Sequence, residues 1–255
     1  MDKITNESFL LTLLLLYFRV VLLFFMVPFF GSPFIPVRIR LLLALSFSFV
    51  VLLNNPQVEP ITISTFEEFI LKAISELTFG FLASLILRLV FEALVVAGEI
   101  IAVHSGLGFL QIFLPGQQQV SLLAGFFSIY GTVLFLSVGG AEIVLIALSD
   151  SLKNFPPGSF NIFSLKPEMY LQFFYESFSL GVKLSMPVLI TALLLNVVLA
   201  VVNRFIPQMN VFMVGLPLQV VVGLIVLILS LPVITLSISE HLREFLIYFV
   251  RFLGS

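Results

Sequence analysis

The chain has 255 residues, of which 60% are hydrophobic and 10% charged, with a formal net charge of −2. A globular domain carries about 25% charged residues, so this chain lacks the polar surface a soluble enzyme or binding module needs. Its 12 basic and 14 acidic side chains offer nucleic acid no basic face, and the absence of Cys excludes disulfides, thiolate metal sites and cysteine nucleophiles. The composition points to an all-α membrane protein in contact with membrane lipid, organised as a single domain over residues 1–255.

A membrane helix needs about 20 apolar residues to cross a hydrocarbon core about 30 Å thick. Residues 9–30 supply the first such run, interrupted by Arg19 and lacking a small-residue cleavage site, so it reads as a retained helix rather than a signal peptide. A Gly/Pro-rich turn (GSPFIPVRIR, 31–40) leads to a second run over 37–53, which stops at Asn54, Asn55 and Pro56. The two form a hairpin with Arg38 and Arg40 at its tip. Residues 65–106 predict one helix of unusual length that carries Glu67, Glu68, Lys72, Glu76, Arg88, Glu92 and Glu99. Polar and small residues recur there every four positions (68, 72, 76, 80, 84, 88, 92), which allows Glu68–Lys72, Lys72–Glu76 and Arg88–Glu92 pairs. Each four-residue step overshoots a turn by about 40°, so the stripe winds around the helix. Charges at this density suit a protein neighbour better than lipid.

An uncharged, glycine-flanked segment follows (GLGFLQIFLPGQQQ, 106–119). A fourth apolar run covers 120–151, split at Gly139–Gly140 and carrying Glu142, and a loop over 153–167 closes that part of the chain. Residues 170–202 form an apolar run expected to break at Lys183 and Pro187. A polar elbow then precedes a Val/Leu/Ile run over 211–237, and 239–255 form an amphipathic tail. No linker and no internal repeat is present. Lys and Arg in the short loops place Arg38, Arg40 and Arg204 inside and the amino terminus outside.

Three features carry candidate chemistry. Irregular backbone at membrane depth survives only where protein buries it or where it lines a cavity. The segment with Gly106, Gly108, Phe109, Leu110, Ile112, Phe113, Leu114, Pro115 and Gly116 is therefore either a packed helix–helix turn or an apolar constriction that resists wetting. Arg19, Arg88, Glu99 and Glu142 are charges inside apolar runs, which marks buried pairs or a pathway; salt bridges between subunits are the favoured reading. Asn203, Arg204, Pro207, Gln208 and Asn210 form an elbow whose amides can satisfy backbone groups freed by the proline, a structural joint. His104 and His241 read as packed or surface histidines. No phosphate loop, Ser/His/Asp set or metal motif occurs, so neither catalysis nor a cofactor is expected.

The chain resembles the FliR-type flagellar export-gate family of type III secretion along nearly its whole length. The likeness rests on Arg19 with Pro28 and the 31–40 turn, on GEIIAVHSG (98–106) leading to Phe109 and FLPG (113–116), on LFLSVGG (134–140), and most specifically on NRFIPQMNVFMVGLP (203–217). Leu114 stands where the family often has an acidic residue, and Val138-Gly139-Gly140 where it often has an Asn-Gly-His turn. The resemblance implies a non-enzymatic subunit set beside FliP-like and FliQ-like subunits and the other flagellar export-apparatus membrane proteins. It places the chain in the bacterial inner membrane at the flagellar basal body, with part of the assembly on the periplasmic side. Unfolded flagellar proteins pass through that assembly, and the 106–116 segment closes it. The alternative reading within the same class is the virulence-type injectisome counterpart, which the resemblance implies shares the fold. A small-molecule secondary transporter would show two similar halves, and a membrane transferase would want a His/Asp cluster.

Overall fold

The computed structural model describes residues 7–27, 30–31, 35–108, 121–161, 167–206 and 211–254, with the side chains of 167, 169, 211, 212 and 254 left out of account. Among the described residues the structure is helical, with no strand: α1 (Glu7–Met26), α2 (Val37–Asn54), α3 (Phe66–His104), α4 (Leu122–Ser137), α5 (Gly140–Asn154), α6 (Pro167–Phe205) and α7 (Val211–Gly254). Five of these, α1, α2, α3, α6 and α7, are long and apolar enough to cross a membrane, while α4 and α5 reach that length only together. The all-α membrane class expected from composition is borne out.

The described chain gathers into two compact units. One contains residues 1–89, 139–171 and 243–255; the other contains 90–138 and 172–242. Both draw on α3, α6 and α7, so no linker in the sequence separates them.

In the first unit α1 and α3 run in the same direction. Ile61 N–H donates to Thr12 Oγ1 at 2.9 Å, Arg19 meets Glu76, and Ser84 Oγ donates to Met26 Sδ at 3.1 Å, so contacts advance together along both helices. The four-residue stripe of α3 explains this seam. Glu68 and Lys72 are partly exposed, Glu76, Gly80 and Ser84 are buried, and Arg88 is exposed again, as a stripe drifting about 40° per step requires. At Gly80 the backbones touch, since a Cβ there would overlap the Arg19 carbonyl.

In the second unit α3 packs with similar closeness. A Cβ on Gly98 would run into the backbone of Leu123 and Ala124 on α4, one on Gly181 of α6 would come 2.7 Å from the Ala93 carbonyl, and one on Gly223 of α7 would come 2.7 Å from Ser105 Cβ. Helix α3 is thus the shared core element: 56% of its most apolar stretch is buried, against 22% for α2, α6 and α7.

Three boundary expectations need correction. Helix α6 runs unbroken through Lys183 and Pro187; proline removes one N–H, but in apolar surroundings breaking the helix would strand many more backbone groups, so the remaining ladder persists. Helix α7 continues without interruption from the apolar run into the amphipathic tail, because buried Ile234, Ile238, Leu242, Phe245, Phe249 and Phe252 keep one helical spacing throughout. The first helix stops at Met26, before Pro28, as helices do near a proline. The break expected at Gly139–Gly140 is present, with Gly139 in the left-handed region at φ 75°, a conformation glycine adopts without a Cβ penalty.

Candidate functional site

Two constellations of polar groups lie inside this apolar chain, one in each unit. The first centres on Arg19, whose side chain is 0% exposed. Its guanidinium forks onto Glu76, Nε donating to Oε2 at 2.6 Å and Nη2 to Oε1 at 2.9 Å, the bidentate geometry that favours arginine over lysine. Nη1 donates to Ser151 Oγ at 3.2 Å and Nη2 also to the Phe155 carbonyl at 3.0 Å. Ser151 Oγ–H in turn donates to the Leu148 carbonyl at 2.7 Å. The Phe79 ring covers the guanidinium at 4.2 Å, an orientation in which the ring face attracts a cation.

Glu76 is fully buried as well. It accepts a third hydrogen bond, from the Gly158 N–H at 2.6 Å. Gly158 sits at φ 80° under the stem of Lys72, so the turn after α5 needs a residue without Cβ to aim that N–H inward. Phe155 packs tilted and Phe160 edgewise on Phe79, with centroids 5.5 and 5.1 Å away, and both seal the cluster. Arg19 therefore finds its partner within its own chain, which corrects the expectation of a bridge between subunits. Lys72 pairs with Glu68 at 2.7 Å, as spacing predicted, but Glu76 turns inward to Arg19. The i,i+4 spacing of 72 and 76 does not decide the pairing, because a buried, desolvated arginine needs the carboxylate more than a half-exposed lysine does.

The second constellation frames the central segment. Helix α3 ends at His104, whose Nδ1 lies 2.8 Å from the Ile100 carbonyl. Gly106 then turns left-handed at φ 74°, against Gln219 of α7, and Gly108 follows it without a positive φ. Phe109, Leu110, Ile112, Phe113, Leu114, Pro115 and Gly116 lie outside the described residues. The chain is described again at Ser121, which caps α4: its Oγ accepts from the Ala124 N–H at 3.1 Å. The Ser121 N–H donates to Glu99 Oε1 at 2.8 Å.

The four charges read from the sequence divide within this chain. Arg19 is enclosed, Glu99 is partly buried, and Arg88 and Glu142 are exposed, because the faces of α3 and α5 that bear them are not covered by other parts of the chain. Of the elbow, Asn203 and Arg204 lie exposed in the last turn of α6, while Pro207, Gln208 and Asn210 lie outside the described residues, as does Pro28. Three polar contributors were not anticipated: Ser151, Gly158, and the Asn196–Gln219 amide pair, in which Gln219 Nε2 donates to Asn196 Oδ1 at 2.6 Å between α6 and α7. Among the described residues no group of three metal-ligating side chains forms.

The amino-acid sequence of this chain has counterparts among known proteins. A family model described as bacterial export proteins, family 1, matches residues 10–245. The chain belongs to this family. A protein of Aquifex aeolicus named flagellar biosynthetic protein FliR is 59% identical over 255 residues, covering 100% of this chain and 98% of that protein. Proteins of the same name from Caulobacter vibrioides and Bacillus subtilis are 32% and 29% identical, covering 91% and 87% of this chain and 93% and 86% of theirs. The FliR-type resemblance read from the sequence is borne out.

Proposed function

We propose that this FliR-type chain is a subunit of the flagellar type III protein export gate in the bacterial inner membrane. In this reading it forms part of the wall of a conduit, beside FliP-like and FliQ-like helical subunits and the other export-apparatus membrane proteins. Unfolded flagellar proteins traverse the conduit, and the segment around 106–119 closes it. Part of the chain stands on the periplasmic side of the membrane plane.

The observation that carries the reading is the reach of the apolar surface on α6. Exposed apolar side chains run from Phe174 through Phe178, Ile190, Leu194 and Val201 to Phe205, a span of about 47 Å at 1.5 Å per residue. Fitting that span inside a hydrocarbon core about 30 Å thick takes a tilt near 50°, beyond the roughly 0–40° that membrane helices adopt. Lipid alone does not cover apolar surface of that reach, which lies on more than one side of the helix, whereas neighbouring apolar helices do. The proteins matched above carry a flagellar name, which favours the flagellar system over its injectisome counterpart.

Two experiments test the two halves of the proposal. Purification of the tagged chain from its native membrane is expected to bring FliP-like and FliQ-like helical proteins with it; recovery as a stable, working monomer would overturn the wall role. Deletion of residues 109–117 in an overproduced gate is expected to make cells leak small ions. Unchanged membrane conductance, with the assembly intact, would remove the closing role from this segment.

A further inference from the structure

Helix α2 is covered by the rest of the chain on one narrow side. Its buried residues are Ala44, Ser48, Val51 and Leu52, which share a single stripe. Ser48 satisfies its hydroxyl on the Ala44 carbonyl at 2.8 Å. Around the remaining circumference Leu42, Leu43, Leu45, Val50 and Leu53 are exposed, and no side chain from 41 to 53 is charged. The 18 residues of α2 reach about 27 Å at 1.5 Å per residue, nearly the thickness of one hydrocarbon core. The exposed apolar surface of α6 outruns that thickness, whereas that of α2 ends within it.

The two ends of α2 differ in charge. At its close, the buried Asn55 donates its amide to the Val51 carbonyl at 2.9 Å and to Ser149 Oγ at 3.1 Å, a neutral finish. At its start stand Arg38 and Arg40. Arg40 is drawn back over the end of α1, with Nε donating to the Ile35 carbonyl at 2.9 Å and the guanidinium 5.6 Å from the Phe25 ring centre. Those contacts hold the side chain in place without supplying a negative charge. Arg38 is exposed, and among the described residues no group pairs with it. From residue 8 to residue 58 the chain has three arginines and no acid, and the third, Arg19, is paired with Glu76. Arg38 also stands on the same side of α2 as Leu42 and Leu45, one and two turns further on.

We propose that α2 is a lipid-facing helix of the assembled gate. Arg38, with Arg40 beside it, binds the headgroup of an acidic phospholipid whose acyl chains lie along Leu42 and Leu45. The proposal rests on the reading of this chain as a membrane-embedded gate subunit, and it adds which helix meets lipid and with what headgroup preference. Two observations favour lipid over a companion helix as the occupant. The apolar reach is that of one bilayer, and the uncompensated cation stands where that reach ends, at the depth of the headgroups. Each basic side chain near a membrane surface favours anionic lipid by roughly fivefold, and a guanidinium matches phosphate oxygens two at a time.

A photoreactive amino acid at position 42 of the chain, in the complete gate with its companion subunits, tests both parts. The gate is placed in nanodiscs containing equal amounts of phosphatidylglycerol and phosphatidylcholine, irradiated, and the mass added to the chain is read. Phospholipid adducts are expected, with phosphatidylglycerol favoured roughly fivefold or more. Arg38→Gln should bring that ratio to within about twofold of parity, and Arg38→Lys should keep most of it, because the charge is what the headgroup meets. Raising the salt should lower the parental ratio, as screening of exposed charges requires. Since Arg38 engages no other group, Arg38→Gln leaves the helix and its packing as they are.

A cross-link from position 42 to a companion subunit in place of lipid would overturn the lipid-facing assignment while leaving the wall role intact. Lipid adducts with equal amounts of the two headgroups, or an Arg38→Gln ratio equal to the parent's, would overturn the headgroup site. Recovery of the chain as a working monomer would instead remove the wall role, and the adduct ratio at position 42 would still decide the headgroup site.

Discussion

Arg19→Met is expected to empty the membrane of this chain. The substitution leaves the Glu76 carboxylate fully buried with a single donor, the Gly158 N–H, and strips Ser151 Oγ and the Phe155 carbonyl of theirs. Removing one member of a buried ion pair costs about 3–5 kcal/mol, a large part of the roughly 5–15 kcal/mol that holds a domain together. Glu76→Leu should be as damaging, because it strands a guanidinium that has no route to water. The double variant Arg19→Met/Glu76→Leu separates the value of the pair from the penalty of breaking it. With both charges gone, the main remaining losses are the Phe155 carbonyl and the Gly158 N–H, about 1–3 kcal/mol each if left unsatisfied, while Ser151 Oγ loses one donor but keeps its own bond to the Leu148 carbonyl. The double variant is therefore expected to accumulate at least as well as either single, and its thermal midpoint in detergent should not be lower. A double variant that loses the sum of the two singles would show that Arg19 and Glu76 act independently and that the bidentate pair is not what joins α1, α3 and α5.

The second large effect concerns glycines that mediate backbone contact. Ala at an exposed helical glycine normally stabilises by about 0.5–1 kcal/mol. At Gly125, where a Cβ meets nothing within 4 Å, that gain should be realised. At Gly80 and Gly98 the added Cβ would overlap backbone, the Arg19 carbonyl and the Ala124 main chain respectively, and backbone cannot rotate aside. Overpacking of this sort costs about 1–3 kcal/mol or more, so Gly80→Ala and Gly98→Ala should lower the thermal midpoint of the solubilised protein and the yield of assembled gate. Gly131→Ala is the instructive intermediate, because its Cβ would strike Leu94 Cδ1, the movable tip of a side chain. Melting curves for the four variants should order Gly125, Gly131, then Gly80 and Gly98 together. Equal midpoints for Gly80→Ala and Gly125→Ala would mean that α1 and α3 do not touch main chain to main chain.

Much of this architecture is legible in the sequence because hydropathy and Gly/Pro punctuation act locally. Helix α2 and the long α3 fall within a residue or two of their expected bounds, and the stripe spaced by four on α3 announces both its winding and the burial of its middle. The polar partnerships were less legible. Glu76 has Lys72 one turn away and Arg19 fifty-seven positions away, and only the fold reveals that the distant partner is the one enclosed with it. A sequence signal did exist: a charge within the first apolar run needs an opposite charge somewhere in a core, and Glu76 lies where the α3 stripe turns inward. Ser151 and Gly158 gave no such signal, since a serine in a helix and a Pro-Pro-Gly turn are common on surfaces. Pro187 does not interrupt α6 because breaker rules learned in water overstate the effect of proline inside an apolar helix, and the tail after Ser237 continues α7 because its exposed charges sit beside a buried stripe with unchanged helical spacing.

The long reach of exposed apolar surface on α6 also bears on how a cell must make this molecule. A copy synthesised ahead of its companions has greasy flanks that outrun the bilayer, and these would seek any available substitute, including a second orphan copy. Such a chain is a ready target for the proteases that survey membranes, and its half-life should lengthen when its companions are produced alongside it. Balanced synthesis of the set, rather than abundance of any one member, then limits how many export complexes a cell can build.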